Sequence, residues 1–118
     1  MSATPETMHL EGVHLRFFMH SNARHKGKLL YEWLLEKARH EKLAGGSAFR
    51  AIAGFGRHGV LHEEAFFELA GDMPVRVEFV LREEEAERML DIVREAGVEL
   101  VYASSPIHIG VLGKTGKD

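Results

Sequence analysis

The fold is decided by the segment VHLRFFM at residues 13–19, in which every second residue is apolar. Side chains of a β-strand point alternately to opposite faces, so this period of two predicts a strand with one buried face. The segment PVRVEFVL at residues 74–81 repeats the pattern, with apolar residues at each odd-numbered position. We predict that both segments are strands that bury their odd-numbered residues in one core.

Apolar residues recur every three or four positions in two other segments, which is the spacing of an amphipathic helix. The first helix follows Lys28 and is expected to close near Leu43, before Gly45 and Gly46. The second starts at the acidic triplet 83–85, whose charge suits a helix N-terminus, and ends before Gly97.

Two further strands are predicted, at residues 48–53 and 98–109, and an earlier arm of the strand at 74–81 is expected at 65–69. Pro106 is expected to interrupt the last strand, because proline cannot donate a hydrogen bond to a ladder. The order of elements gives two βαβ halves, each of which places its helix on the same side of the sheet. The predicted fold class is therefore α+β and ferredoxin-like, βαββαβ, with a four-stranded antiparallel sheet and two helices on one face.

Length and composition favour one soluble domain, which we place at residues 13–110 between flexible segments at 1–12 and 111–118. The absence of cysteine excludes disulfides, thiolate nucleophiles and cysteine-ligated metals. A net charge of -3 argues against nucleic acid as a partner. We expect a cytoplasmic protein with no membrane insertion, because there is no signal-peptide pattern and no apolar run of about 20 residues.

One face of the predicted sheet lacks a cover. Phe18, Phe66 and Val80 fall on the register opposite to the core. Exposed apolar surface of this kind is typical of an interface, so we expect this face to be buried in an oligomer.

The segment GFGRHG at residues 54–59, which begins with the tripeptide Gly-Phe-Gly, resembles the base of the ligand-sensing loop of the nitrogen regulatory PII proteins. The sequences KGKLLYE at 26–32, LAGG at 43–46 and MPV at 73–75 are similar to a small PII-like family of unknown function. This resemblance covers residues 15–109, nearly the whole predicted domain.

The resemblance implies a signalling protein that is not an enzyme: a homotrimer that binds a small effector in clefts between subunits and acts on a protein partner. The ligand-binding residues that we assign on this basis are Gly54, Phe55, Gly56, Arg57, His58, Lys26 and Lys28. PII proteins carry a glycine-rich phosphate-binding loop with a lysine after the second helix, where this chain reads REAGVEL at 94–100. The cofactor is therefore left open as a nucleotide or another anion.

Several side chains also permit other interpretations. Glycines at 54–59 can free backbone N–H groups for an anion, or simply allow the turn of a hairpin. His58 and His62, with Glu63 or Glu64, would suit a metal-responsive trimer of the divalent-cation tolerance type, although no metal site is assigned. A ligand-free structural interaction module is the third possibility. No catalytic residue is assigned, since Ser104, Ser105 and His108 lack the arrangement of a nucleophile and base.

Overall fold

The computed structural model of the protein describes residues 6–54 and 73–113, with residues 6–9 described by their backbone alone. Its elements are β1 Glu6–His20, β2 Arg24–His25, β3 Lys28–Leu29, α1 Leu30–His40, β4 Gly46–Arg50, β5 Pro74–Leu81, α2 Glu83–Ala96 and β6 Val101–Leu112. Four of the strands form one antiparallel sheet in the order β4-β5-β1-β6, and β2 pairs only with β3. The ferredoxin-like α+β prediction, with four antiparallel strands and two helices, is confirmed.

The core lies between the helices and one face of the sheet, which we call the covered face. Leu15 stands opposite Phe79 and Phe17 stands opposite Val77 in the register of β1 and β5. On the covered face, the buried residues of the two central strands are all odd-numbered: Leu15, Phe17, Met19, Val75, Val77, Phe79 and Leu81. They pack with buried helix residues, among them Leu34 of α1 and Met89 of α2. The period-two prediction for both central strands therefore identifies the core correctly.

The opposite side of the sheet is the open face. Its described residues on the central strands are Leu10, Gly12, His14, Arg16, Phe18, His20, Pro74, Arg76, Glu78 and Val80. On β6 it continues through Val101, Ala103, Ser105, Ile107 and Ile109, which stand opposite even-numbered residues of β1. Apart from Gly12, these residues are half-buried or exposed, and Val80 retains 46% of its accessible surface.

Strand β1 begins at Glu6 rather than at Val13, because its N-terminal part pairs with β6 as far as Leu112. This pairing partner is distant in sequence and leaves no local pattern. Residues from Glu6 onward in the predicted flexible segment 1–12 therefore belong to a strand, as do Val111 and Leu112 of the predicted tail. The domain boundary at residues 13–110 stays a prediction.

The expected break at Pro106 does not occur, since β6 runs continuously from Val101 to Leu112 with Pro106 opposite Val13. Because β6 lies at the edge of the sheet, a residue without an N–H group can be placed there without losing a ladder bond. Strand β4 is Gly46–Arg50 rather than 48–53, and the arm expected at 65–69 lies outside the described residues.

The helices end by different means. The predicted end of the first helix near Leu43 is three residues late, because the chain leaves α1 at His40 through a C-terminal hydrogen-bonded turn. Lys42 N–H donates to Arg39 O and Leu43 N–H donates to Ala38 O, each at 3.0 Å. By contrast, α2 ends at Gly97 with a φ of 74°, as the glycine predicted.

Candidate functional site

Three chain segments meet at one end of the sheet, which we call the loop end and define as residues 21–29, 51–54 and Met73. The antiparallel register places the last residues of β1 and β4 beside the first residues of β5, with His20 opposite Pro74 and Arg50 opposite Val75. The predicted ligand-binding residues that the structure describes, Lys26, Lys28 and Gly54, all belong to this end. Their assignment to one ligand site stays a prediction.

Ser21 ties two of these segments together. Its N–H donates to Met73 O at 2.8 Å, and its Oγ accepts the N–H of Met73 at 3.2 Å. The exit of β4 is held against the start of β5 by Ala51 N–H, which donates to Pro74 O at 2.8 Å. Ser21 is only 9% exposed and was not identified from the sequence. A serine directly after a strand was the available signal, because its hydroxyl can accept a nearby backbone N–H.

Lys26 and Lys28 lie on the short β2–β3 hairpin. Lys26 and Gly27 form its two-residue turn with φ values of 52° and 82°, the positive angles that such turns require. The Arg24 side chain donates to Gly27 O at 3.3 Å and closes the turn. Lys26 is exposed at the tip, whereas Lys28 forms an ion pair with Glu36 of α1. The hydrogen bond from Lys28 lowers the pKa of the Glu36 carboxyl.

The hairpin also supplies part of the cap of α1. Leu29 stands at the N-cap position without a side-chain cap, and Leu30 N–H donates to Ala23 O at 2.7 Å. The His25 ring packs edge-on against Trp33, with ring centroids 4.6 Å apart. Beside this contact lies a groove of about 660 Å³, lined by Lys28, Trp33, Glu36, Lys37, Arg39 and His40. The hairpin side of α1 therefore presents mainly basic side chains.

Gly54 is the last described residue before residue 73, and it is half-buried. A Cβ atom at this position would lie 3.3 Å from Pro74 Cγ, so the backbone passes close to the start of β5. Phe55, Gly56, Arg57 and His58, assigned to the ligand site from the sequence, lie outside the described residues. The histidines considered for a metal site, His58 and His62, also lie outside them.

Two side-chain sets concern metal binding and catalysis in residues 6–54 and 73–113. No group of three or more potential metal ligands occurs among them. Ser105 lies on the open face, whereas His108 lies on the other side of β6. Ser104 shares the face of His108 but is four strand residues away, about 13 Å, which is too far for a hydrogen bond. Within the same residues, no helix is both long and apolar enough to span a bilayer.

Comparison with known proteins gives consistent matches. Residues 12–109 match the DUF190 family, described as an uncharacterized ACR. A UPF0166 protein of Aquifex aeolicus is 36% identical over 80 residues, which cover 68% of this chain and 76% of the relative. A UPF0166 protein of Methanocaldococcus jannaschii is 25% identical over 91 residues, covering 74% of this chain and 83% of the relative.

A solved structure shares the fold. It is a crystal structure of a candidate PII-like signaling protein from Thermus thermophilus, with a TM-score of 0.54 and 18% sequence identity. The similarity covers 88% of this chain and 92% of the other. At this identity the match establishes the architecture alone.

Proposed function

The chain belongs to the DUF190 (UPF0166) family, and its fold is also that of a candidate PII-like signaling protein. On this basis we propose that it is a regulatory protein and not an enzyme. In this proposal the protein is a homotrimer that binds a small effector, a nucleotide or another anion, between subunits. The ligand-binding residues are Lys26, Lys28 and the segment 54–58. The segment that follows Gly54 acts on a partner protein.

The convergence of three segments at the loop end is the observation that carries this proposal. Ser21 joins the hairpin segment to Met73, and Ala51 joins the exit of β4 to Pro74. Hydrogen bonds therefore connect Met73 and Pro74, which follow residues 55–72, to the chain before the hairpin and to the exit of β4.

Charge at the loop end favours an anion. Lys26 is exposed at the hairpin tip beside exposed Arg24, whereas the basic residues Lys37, Arg39 and His40 line the groove farther along, in the last turn of α1. Lys28 would exchange its bond with Glu36 for a bond with the ligand. That exchange costs little, because exposed ion pairs are screened by water and contribute little to stability.

The carboxylates at the end of α2 limit how much negative charge the anion can carry. Gly97 adopts a positive φ to end the helix, and exposed Glu95 and Glu99 lie on either side of it. Two carboxylates near a polyphosphate would repel it. Smaller or less charged anions therefore belong in the test beside the nucleotides.

The proposed trimer is supported by the open face. Phe18, Val80 and Val101 leave apolar surface on that face, and burial between subunits would remove this surface from water. Sedimentation velocity should give a mass three times the 13.3 kDa of the chain. A monomer at micromolar concentration would contradict the assembly.

Calorimetric titration with ATP, ADP, cyclic nucleotides and bicarbonate tests the ligand. We expect saturable binding of one of them, weakened several-fold by Lys26→Gln because a charge-assisted contact is lost. Arg88→Gln is the matched control, since Arg88 pairs with Glu41 beyond the C-terminal end of α1, away from the hairpin. The absence of binding across the panel at millimolar ligand would overturn the proposal.

A further inference from the structure

Arg16 lies in the middle of the open face. It belongs to β1, the strand between β5 and β6, and stands opposite Glu78 on one side and Ala103 on the other. A guanidinium group beside a carboxylate on the next strand would ordinarily form a bidentate ion pair. The structure shows a different arrangement.

Glu78 is bound by other side chains. Its Oε1 accepts from Arg76 Nε at 2.9 Å and lies 3.2 Å from His14 Nε2. Arg76 also lies over the Phe49 ring, with the guanidinium carbon 4.8 Å from the ring centroid, which holds it on the β4 side of the carboxylate. The carboxylate opposite Arg16 is therefore shared by two other groups.

Arg16 itself is weakly satisfied. Its Nη2 reaches Ser105 Oγ at 3.5 Å, the outer limit of a hydrogen bond. Its Nε is buried and finds no acceptor among residues 6–54 and 73–113. A half-buried guanidinium that lacks acceptors carries a desolvation cost, and an oxyanion would offset that cost.

The charged side chains of the open face also favour an anion. Among its described side chains, Arg16 and Arg76 are cationic and Glu78 is the one carboxylate. Ser105 adds a hydroxyl that can donate to an anion, and His14 lies on the same face opposite Ser105.

We propose that Arg16, together with Ser105, forms a binding site on the open face for a small oxyanion, a carboxylate or a phosphate. The terminal nitrogens of Arg16 and the hydroxyl of Ser105 donate to its oxygens, and Glu78 opposes its binding through like charge. Arg16 precedes Ser21 by five strand residues, about 17 Å. The site is therefore separate from the loop end and does not depend on the ligand proposed there; in the proposed trimer it would lie at the interface between subunits.

Calorimetric titration with inorganic phosphate and with succinate, at ionic strength held constant with sodium chloride, tests this site. Wild-type protein should bind one of the two saturably, and Arg16→Gln should weaken binding about tenfold or more. Glu78→Gln should tighten binding, because it removes the opposing charge. Arg16→Lys, which retains the charge without the fork of donors, should fall between wild type and Arg16→Gln.

Arg88→Gln, on the exposed side of α2 where Arg88 pairs with Glu41, should leave phosphate and succinate binding unchanged. Circular dichroism should first show that each variant is folded, and Arg16→Lys keeps the test decisive if Arg16→Gln does not fold. Wild-type affinity in both Arg16 variants, or no saturable binding by wild type, would overturn the proposal. So would loss of the oligomer in Arg16→Gln without anion binding by wild type, since a carboxylate of a second copy would then be the partner of Arg16.

Discussion

Phe17 and Phe18 are neighbours in sequence and face opposite sides of one sheet. Phe17 is 1% exposed on the covered face, edge-on to Phe79 with centroids 6.3 Å apart. Phe18 lies half-buried on the open face, opposite Arg76 and Val101. On the covered face, β5 and residues 13–19 of β1 carry apolar side chains, whereas the open face combines apolar side chains with a charged cluster around Glu78.

The two faces differ in role: contacts on the covered face stabilise the monomer, whereas side chains on the open face can still bind a ligand or another subunit. Helices exclude water from the covered face, and that burial supplies the main favourable term in folding. The open face has no such cover within the described residues, so its half-buried polar groups suit association or ligand binding. Stability and function are therefore expected to separate by face.

The largest test of that separation is Phe17→Ala against Phe18→Ala. Phe17→Ala should lower the free energy of unfolding by about 3–5 kcal/mol, because it leaves a cavity in the core. Phe18→Ala should cost about 1 kcal/mol in the isolated chain, since less surface is buried. Urea denaturation at two protein concentrations measures both values.

Concentration separates the folding contribution of Phe18 from an assembly contribution. If the open face is buried between subunits, the urea midpoint of wild type should fall on dilution and that of Phe18→Ala should fall less, because the variant assembles more weakly at both concentrations. The cost of Phe17→Ala should stay the same at both concentrations. If both variants lose the same free energy of unfolding at both concentrations, the separation of the two faces is wrong, because both faces would then belong to the folding core.

The second test asks how far the covered face extends toward the β4 edge. A Cβ atom on Gly46 would lie 2.4 Å from Phe79 Cε1, so Gly46→Ala forces a buried ring to move. We expect a loss of about 1–3 kcal/mol in the free energy of unfolding, as for other overpacked cores. Gly45→Ala is the matched control, because a Cβ there meets nothing within 4 Å and should change stability by less than about 0.5 kcal/mol.

Thermal or urea unfolding of the two alanine variants gives the answer. A loss confined to Gly46→Ala would extend the covered face to a strand whose residues are themselves exposed. Similar results for both variants would restrict that face to the central strands.

Local patterns in the sequence were sufficient for the covered face. Period-two alternation at 13–19 and 74–81 identified the core residues of both central strands, and Gly97 marked the end of α2. These features depend on neighbours along the chain. The family resemblance selected Lys26, Lys28 and Gly54, which the structure brings to one end of the sheet.

Features that depend on distant partners were not predictable. The extension of β1 to Glu6 requires pairing with β6, and the passage of β6 through Pro106 requires its place at the sheet edge. Ser21 acts through Met73, which is 52 residues away in sequence. The binding of Glu78 by Arg76 and His14, which leaves Arg16 without the carboxylate opposite it, also depends on the register of separate strands.

The smallest expected effect lies outside both faces, where Glu41 after α1 pairs with Arg88 of α2. The hydrogen bond from Arg88 is the main cause that lowers the pKa of the Glu41 carboxyl. A carboxyl whose pKa is lower in the folded state stabilises the fold above its unfolded pKa, and this contribution is lost as the pH falls through the folded pKa. Arg88→Gln should therefore raise the pKa of Glu41 and weaken the acid dependence of stability.

Side-chain carboxyl shifts followed by NMR across acidic pH measure this change, and Glu36 provides the control within the same spectra. The pKa of Glu36 is lowered by Lys28, so it should not respond to Arg88→Gln. An unchanged pKa of Glu41, or an equal change at Glu36, would contradict the assignment. Because Glu41 and Arg88 join the end of one helix to the other helix, a small change in stability would show that burial on the covered face, rather than surface charge, holds the helices on the sheet.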